Sequence, residues 1–228
     1  MKLLFASITY GVTDPEANRS HRAAIMQAAN AGHKWVGDIS PDHMKWDDAR
    51  NLVIQEALYN PDIKQADAIF WVDSDMVLPP YAIARMAYYE QDFITGIYFQ
   101  KEPPHWPLIA QLNKEGTGFH WYMGWPPDTL APIDGCGFGC VLTSLKMIRD
   151  MGEPPWFHFN KFSEDFTFCL KAKNAGYNLL VDTGVICDHL GSPKKSGLED
   201  FRRCHPTFYP PTPVQEVQEH GAVRSSVA

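Results

Sequence analysis

Ala68-Ile69-Phe70-Trp71-Val72-Asp73-Ser74-Asp75 is the stretch on which the reading of this chain turns. Its first five residues form a short unbroken apolar run, the pattern of a central strand buried on both faces of a parallel sheet. The run passes directly into two carboxylates separated by one residue. In open α/β sheets ligands bind beyond the carboxyl ends of the strands, so Asp73 and Asp75 stand where chemistry is expected. If the chain turns there, both side chains point into one crevice. Two isolated carboxylates would repel each other and raise one pKa unless a cation lay between them. A hard divalent cation resolves that repulsion and in turn gathers phosphate oxygens. Asp-Ser-Asp is also good turn chemistry, and Asp75 could cap a helix near Pro79.

Outward from this strand, residues 2–9 read as a first buried strand. Residues 20–31 read as a helix capped by Ser20 and closed by Gly32. A second helix fits residues 47–59, with Leu52, Val53 and Ala57 on one face, and stops at Asn60-Pro61. Pro79-Pro80 opens a helix that continues over 81–89. Residues 93–99 read as a strand, and the Pro-, Trp- and Gly-rich residues 100–132 as a loop or hairpin region. Residues 133–142 carry Gly135, Gly137 and Gly139 in a strand-like setting, where close backbone approach is a usual reason for glycine. Ser163 can cap a helix over 164–175 closed by Gly176, and 178–187 is a last strand. Strands alternating with helices predict an α/β fold around a mostly parallel sheet. One domain over residues 1–205 is expected, followed by a Pro-rich tail, 206–228, that is peripheral or disordered.

Composition narrows the classes. At 228 residues and 45% hydrophobic, the chain can bury one substantial core but is short for two. No apolar stretch approaches the ~18–20 residues that span a bilayer. The N-terminal apolar run is too short for a signal peptide and breaks into Tyr10-Gly11 without a cleavage-like site, which predicts a cytoplasmic protein. A net charge of -7 is the wrong sign for a domain whose main task is gripping phosphate backbone. Cys136, Cys140, Cys169, Cys187 and Cys204 are odd in number and lack framework spacing, as suits a reducing compartment. Cys187, His189, Cys204 and His205 could be drawn as a zinc site, but their spacing is irregular.

The segment FWVDSDMVLPP resembles the DxD segment of GT-A glycosyltransferases, especially compact phage and bacterial ones. The resemblance extends to Asp48-Ala49-Arg50-Asn51 upstream and DFITGIYFQKEPP downstream. IDGCGFGCVLTS, PWFHFNKFSEDFTFCLKAKNAGY and VDTGVICDHLG resemble the later motifs in the same order, covering about residues 1–191. The resemblance implies a GT-A (Rossmann-like) nucleotide-diphospho-sugar transferase fold. It also implies a metal-dependent glycosyltransferase acting from a nucleotide-sugar donor, UDP-linked first of all, onto a hydroxyl acceptor.

Carried over residue by residue, Asp75 binds manganese or magnesium directly, Asp73 binds metal or ribose, and His189 completes the metal shell. The metal acts as a Lewis acid toward the departing nucleoside diphosphate. Asp165 is the general base if the enzyme inverts, with Glu164 positioning the acceptor. Acidic residues in a first helical turn also simply complement the helix dipole. Thr9, Tyr10 and Gly11 cradle the nucleobase, Ser74 lies within the DxD segment, and Arg50 reaches base or phosphates or makes a helix-surface salt bridge. Gly135 lets the backbone approach the sugar, or marks a β-bulge. Trp156 is an acceptor-site candidate. The acceptor could be a glycan, a small molecule or a hydroxymethylated base in phage DNA. The absence of Gln-x-x-Arg-Trp argues against a processive enzyme. Two other readings remain. One is a haloacid-dehalogenase-type phosphatase with Asp73 as nucleophile; the other is a non-catalytic domain that binds nucleotide-sugar or glycan.

Overall fold

The computed structural model describes residues 1–11, 13–63, 65–191 and 195–208. It opens with β1 (Lys2–Ile8), α1 (Pro15–Asn30), β2 (Lys34–Ile39), α2 (Trp46–Tyr59) and β3 (Ala68–Asp73). Next come β4 (Met76–Val77), α3 (Ala82–Tyr88) and β5 (Phe93–Ile97). Three short strands follow in the region read as loop or hairpin, β6 (Ile109–Leu112), β7 (Phe119–Trp121) and β8 (Leu130–Ile133). The chain continues through β9 (Gly135–Cys136), β10 (Cys140–Ser144), α4 (Leu145–Asp150) and α5 (Glu164–Asn174). It ends with β11 (Leu179–Ile186), β12 (Asp188–Leu190), β13 (Lys195–Ser196) and α6 (Leu198–Cys204). The tail expected over 206–228 falls, from residue 209 on, outside the described residues.

Seven strands form the main sheet in the order β2-β1-β3-β10-β5-β11-β8. The α/β class is as expected, and the sheet is mixed. β1 runs parallel to β2 and β3, and β11 parallel to β5, while β10 is antiparallel to both its neighbours and β8 to β11. β10 can run backwards because it arrives from the hairpin region rather than through a crossover helix.

Both faces of the sheet are covered, as the continuous apolar runs require. Successive residues point to opposite faces. Leu3, Phe5, Phe70 and Val72 pack with α1 and α3, whereas Leu4, Ala6, Ile69 and Trp71 pack with α2, α4 and α5. Trp71 is fully buried, and its indole N–H donates to Thr143 Oγ1 at 2.8 Å, so its one polar atom is satisfied in the core.

The first helix differs from expectation. It starts at Pro15, with Asp14 as its N-cap accepting from the Glu16 N–H at 2.7 Å. Ser20 sits inside the helix; its hydroxyl donates to Ala17 O and accepts from the Leu78 N–H. Ser20 therefore ties α1 to the segment after β4 instead of starting the helix. Ser163 does occupy the N-cap position of α5, without a side-chain capping hydrogen bond.

Candidate functional site

At the carboxyl ends of β1 and β3 the chain leaves a cleft of about 570 Å³. That volume lies within the range of small-ligand sites. Ser74 N–H donates back to Ile8 O, which holds the Asp73-Ser74-Asp75 turn against the end of β1. β4 then pairs with β12, setting His189 opposite Met76. This pairing carries a histidine from the far end of the sequence to the side of Asp75. From behind, buried His21 donates through Nε2 to Met76 O at 2.8 Å. Burial lowers the His21 pKa, which suits a neutral donor.

Two groups of charged side chains face each other across the cleft. In the first, His189 Nδ1 lies 2.8 Å from Phe99 O, and a carbonyl only accepts, so Nδ1 carries the proton. Nε2 lies 3.5 Å from Asp75 Oδ1. In the neutral ring the Nε2 lone pair faces that oxygen, two acceptors that a shared cation satisfies, with the ring oriented by a backbone carbonyl behind it. Lys101 Nζ lies 2.5 Å from the other oxygen, Asp75 Oδ2. Burial pushes the Asp75 pKa upward, but the hydrogen bonds from His189, when its ring is protonated, and from Lys101 outweigh it, leaving the carboxyl at about 2.

The second group surrounds Arg50. Its side chain is 4% exposed, with Nη1 at 2.7 Å from Glu164 Oε1 and 2.8 Å from Asp165 Oδ1. Nη2 is 3.4 Å from Asp73 Oδ1. One guanidinium thus serves three carboxylates. Burial raises the Asp165 carboxyl to about 7; Arg50 opposes this, and Glu164 and Asp73 reinforce it. Burial raises Asp73 as well. Arg50 stands between the guanidinium-facing rings of Phe138 and Phe157, 5.7 Å from each centroid. Its neighbour Asn51 fixes the adjoining loop: its Oδ1 accepts from the Trp156 and Phe157 N–H groups, and its Nδ2 donates to Phe157 O. The Asp48-Ala49-Arg50-Asn51 segment therefore places one residue in the cleft and uses the next to hold its wall.

Thr9, Tyr10, Arg50, Asp73, Ser74, Asp75, Glu164, Asp165 and His189 all line this cleft. Three expected residues do not. Trp156 is 1% exposed, with its indole N–H donated to Gly152 O, so it is core filler and not an acceptor platform. Gly135 is buried against aromatic rings: a Cβ there would meet Phe166 at 2.8 Å and Phe119 at 3.0 Å. Its missing side chain makes room for those rings and not for a sugar. Gly11 stands just outside the lining, at φ 101°, donating its N–H to Asp42 Oδ1 at 2.7 Å. Its positive φ supports the turn that presents Tyr10.

Tyr98, Lys101, Trp46 and Phe159 line the cleft and were not found from the sequence. Tyr98 gives the other two glycines their purpose. Its hydroxyl accepts from the Gly139 N–H at 3.0 Å, and a Cβ at Gly137 or Gly139 would overlap the phenol.

The donor chemistry of Asp75 and His189 fits a divalent cation with room for phosphate oxygens, but protein ligands are few. Among the described residues no group of three or more His, Cys, Asp or Glu side chains has converged to hold a metal. Asp73 faces Arg50 instead. The zinc alternative finds no support: Cys187 is buried, Cys204 is exposed, and His205 Nε2 lies against Pro104 O. A phosphatase nucleophile at Asp73 is also poorly served, because a carboxyl raised by burial and held toward Arg50 is a weak nucleophile.

The fold defines a structural class: an α/β chain with a seven-stranded mixed sheet, similar in fold to GT-A glycosyltransferases. One similar solved structure is A197 from STIV, at a TM-score of 0.53 and 16% identity, covering 84% of this chain and 86% of that one. Another is GalNAc-T7 with UDP, GalNAc and Mn2+, at a TM-score of 0.58 and 9% identity, covering 83% of this chain and 43% of that one. This chain therefore corresponds to less than half the length of GalNAc-T7. No family model and no curated protein matches the sequence. Among the described residues no helix is long and apolar enough to cross a membrane.

Proposed function

We propose that this chain is a metal-dependent glycosyltransferase that moves a sugar from a nucleotide-diphosphate donor, UDP-linked first of all, to an acceptor hydroxyl. The observation that carries the reading is the division of one cleft into a cation-ready side and a proton-holding side. Asp75 and His189 would hold manganese or magnesium, and Asp73, which lines the same cleft, would assist at the metal or at the ribose. When bound, the metal would supply Lewis-acid stabilisation of the leaving diphosphate. Thr9 and Tyr10, at the end of β1, would border the nucleoside, and Lys101 would add a second positive charge near the phosphates.

Asp165 takes the acceptor proton in this reading. Its carboxyl titrates near neutral pH, the range in which a general base is most effective. As the acceptor oxygen bonds to the anomeric carbon, the bond from that carbon to the diphosphate oxygen breaks, and Asp165 receives the hydroxyl proton. Glu164 shares Arg50 Nη1 with Asp165 and so restrains the direction in which Asp165 points. Residues 1–205 would act as one domain. A cytoplasmic setting belongs to the same reading, since all five cysteines are free thiols.

The test is donor binding with and without manganese, read as thermal stabilisation across UDP-, GDP-, dTDP- and CMP-sugars. A donor at ~100-fold its Kd stabilises by about 2.7 kcal/mol, easily read as a shift. A manganese-dependent shift with one nucleotide class, accompanied by slow donor hydrolysis, is the expected result. No shift with any donor, alongside hydrolysis of a simple phosphate ester, would move the assignment to the phosphatase.

A further inference from the structure

A second cavity, about 390 Å³, opens beside the cleft and shares Ser163 with it. Its walls follow from two sequence periodicities. Phe119 and Trp121, two residues apart on β7, project from one face of that strand. Phe162 and Phe166, four residues apart, bracket the start of α5. The walls meet edge to face: Phe119 lies 5.0 Å from Phe162 and 4.6 Å from Phe166, and Trp121 lies 6.3 Å from Phe166. Ser163 joins the slot to the cleft that Asp165 lines, and Phe166 directly follows Asp165 on α5.

We propose that this slot is the acceptor subsite and that its occupant is a neutral sugar ring of a glycan. The inference rests on the transferase reading above. Pyranose rings present a face of C–H groups that stacks on aromatic rings, and such a ring seated here would bring a hydroxyl toward Asp165. Charge separates this occupant from a nucleic acid. The lining residues include no Lys, Arg, Asp or Glu. The nearby Lys161 ammonium is donated to Thr117 O at 2.6 Å, and the whole chain carries -7. A phosphate backbone would find little to neutralise it. The aromatic lining also gives the Gly135 position a reason: only glycine leaves the space that Phe119 and Phe166 fill.

Saturation-transfer NMR on the full chain, with cellobiose, chitobiose, maltose and a short single-stranded oligonucleotide as probes, tests this. At least one disaccharide should receive saturation. Its affinity should weaken about three- to tenfold in Trp121→Ala and in Phe162→Leu, the loss of one ring contact. Phe162→Leu keeps apolar volume and removes only the ring face, and melting curves verify that both variants fold. Silence from all three sugars overturns the proposal, as does binding unaltered in the folded variants. Saturation of the oligonucleotide alone would overturn it in favour of a nucleic-acid acceptor. Manganese-dependent donor hydrolysis by the unmutated protein is read in parallel. Hydrolysis without saccharide binding sinks the slot and leaves the transferase reading, whereas saccharide binding without hydrolysis leaves a sugar-binding slot and removes its role as an acceptor subsite.

Discussion

On one side of the cleft Asp75 is met by His189 and Lys101; on the other, Asp165 shares Arg50 with Glu164 and Asp73. Both aspartates pay for burial, yet their carboxyls move in opposite directions, to about 2 for Asp75 and about 7 for Asp165. The difference lies in the balance of charges that each meets. Asp75 has two partners to itself and stays partly in solvent, with its side chain 34% exposed. Asp165 has a third share of one guanidinium and two carboxylate neighbours. Identical side chains thus become an anion ready for a metal and an acid poised near neutrality.

The comparison breaks most severely at Arg50. Arg50→Met would leave Glu164 buried, and Asp73 and Asp165 half-buried, without their cation, a loss of about 3 kcal/mol. For a chain of this size that corresponds to a melting temperature lower by about 10 °C. The deficit should shrink in acid, where the carboxylates can neutralise. Equal melting temperatures at neutral pH would mean that solvent, not Arg50, carries these charges.

Asp165→Asn comes next, with turnover expected to fall about a hundred- to a thousandfold. The pH dependence makes the test specific. A raised folded-state pKa means that the protonated carboxyl is favoured by folding. Its contribution to stability is full below the unfolded value of 3.8 and is lost as pH rises through about 7. Activity should follow the opposite course, rising through about pH 7 as the base ionises. In Asp165→Asn both the activity limb and this part of the stability profile should disappear. A limb that persisted would assign the titration to another group.

The two sides were not equally legible in the sequence. Asp73, Asp75 and the strand before them stand together in one segment, and hydrophobic pattern alone places them at a strand end. Glu164 and Asp165 announce themselves at a helix start. Lys101 and Tyr98 do not: they enter the site only because β5 lies between β10 and β11 in the sheet. No local pattern carries that order. β2 escaped notice because its residues are mostly half-buried and include Gly37, so the apolar signal is weak. Gly135, Gly137 and Gly139 signal crowding in the sequence, but whether the crowding group is a ligand, Tyr98 or Phe166 depends on tertiary packing. Trp156 illustrates the same limit, because a tryptophan beside an acidic motif looks alike whether it stacks on a sugar or fills the core.

The smallest effect is expected at Lys101, and it sharpens the comparison most finely. Lys101 and a divalent cation would both seek Asp75, and Lys101 Nζ lies 2.5 Å from its Oδ2. The pair is partly exposed, with side chains 40% and 34% accessible, so breaking it costs at most about 1 kcal/mol. If the two cations compete, Lys101→Ala should bind manganese up to about fivefold more tightly in calorimetry without donor. Donor affinity should fall in the same variant, because the phosphates lose a positive charge. Weaker manganese binding would reverse the inference about this side of the cleft: Lys101 would then be orienting Asp75 toward His189, and the cation-ready geometry would depend on the lysine that was expected to yield to the metal.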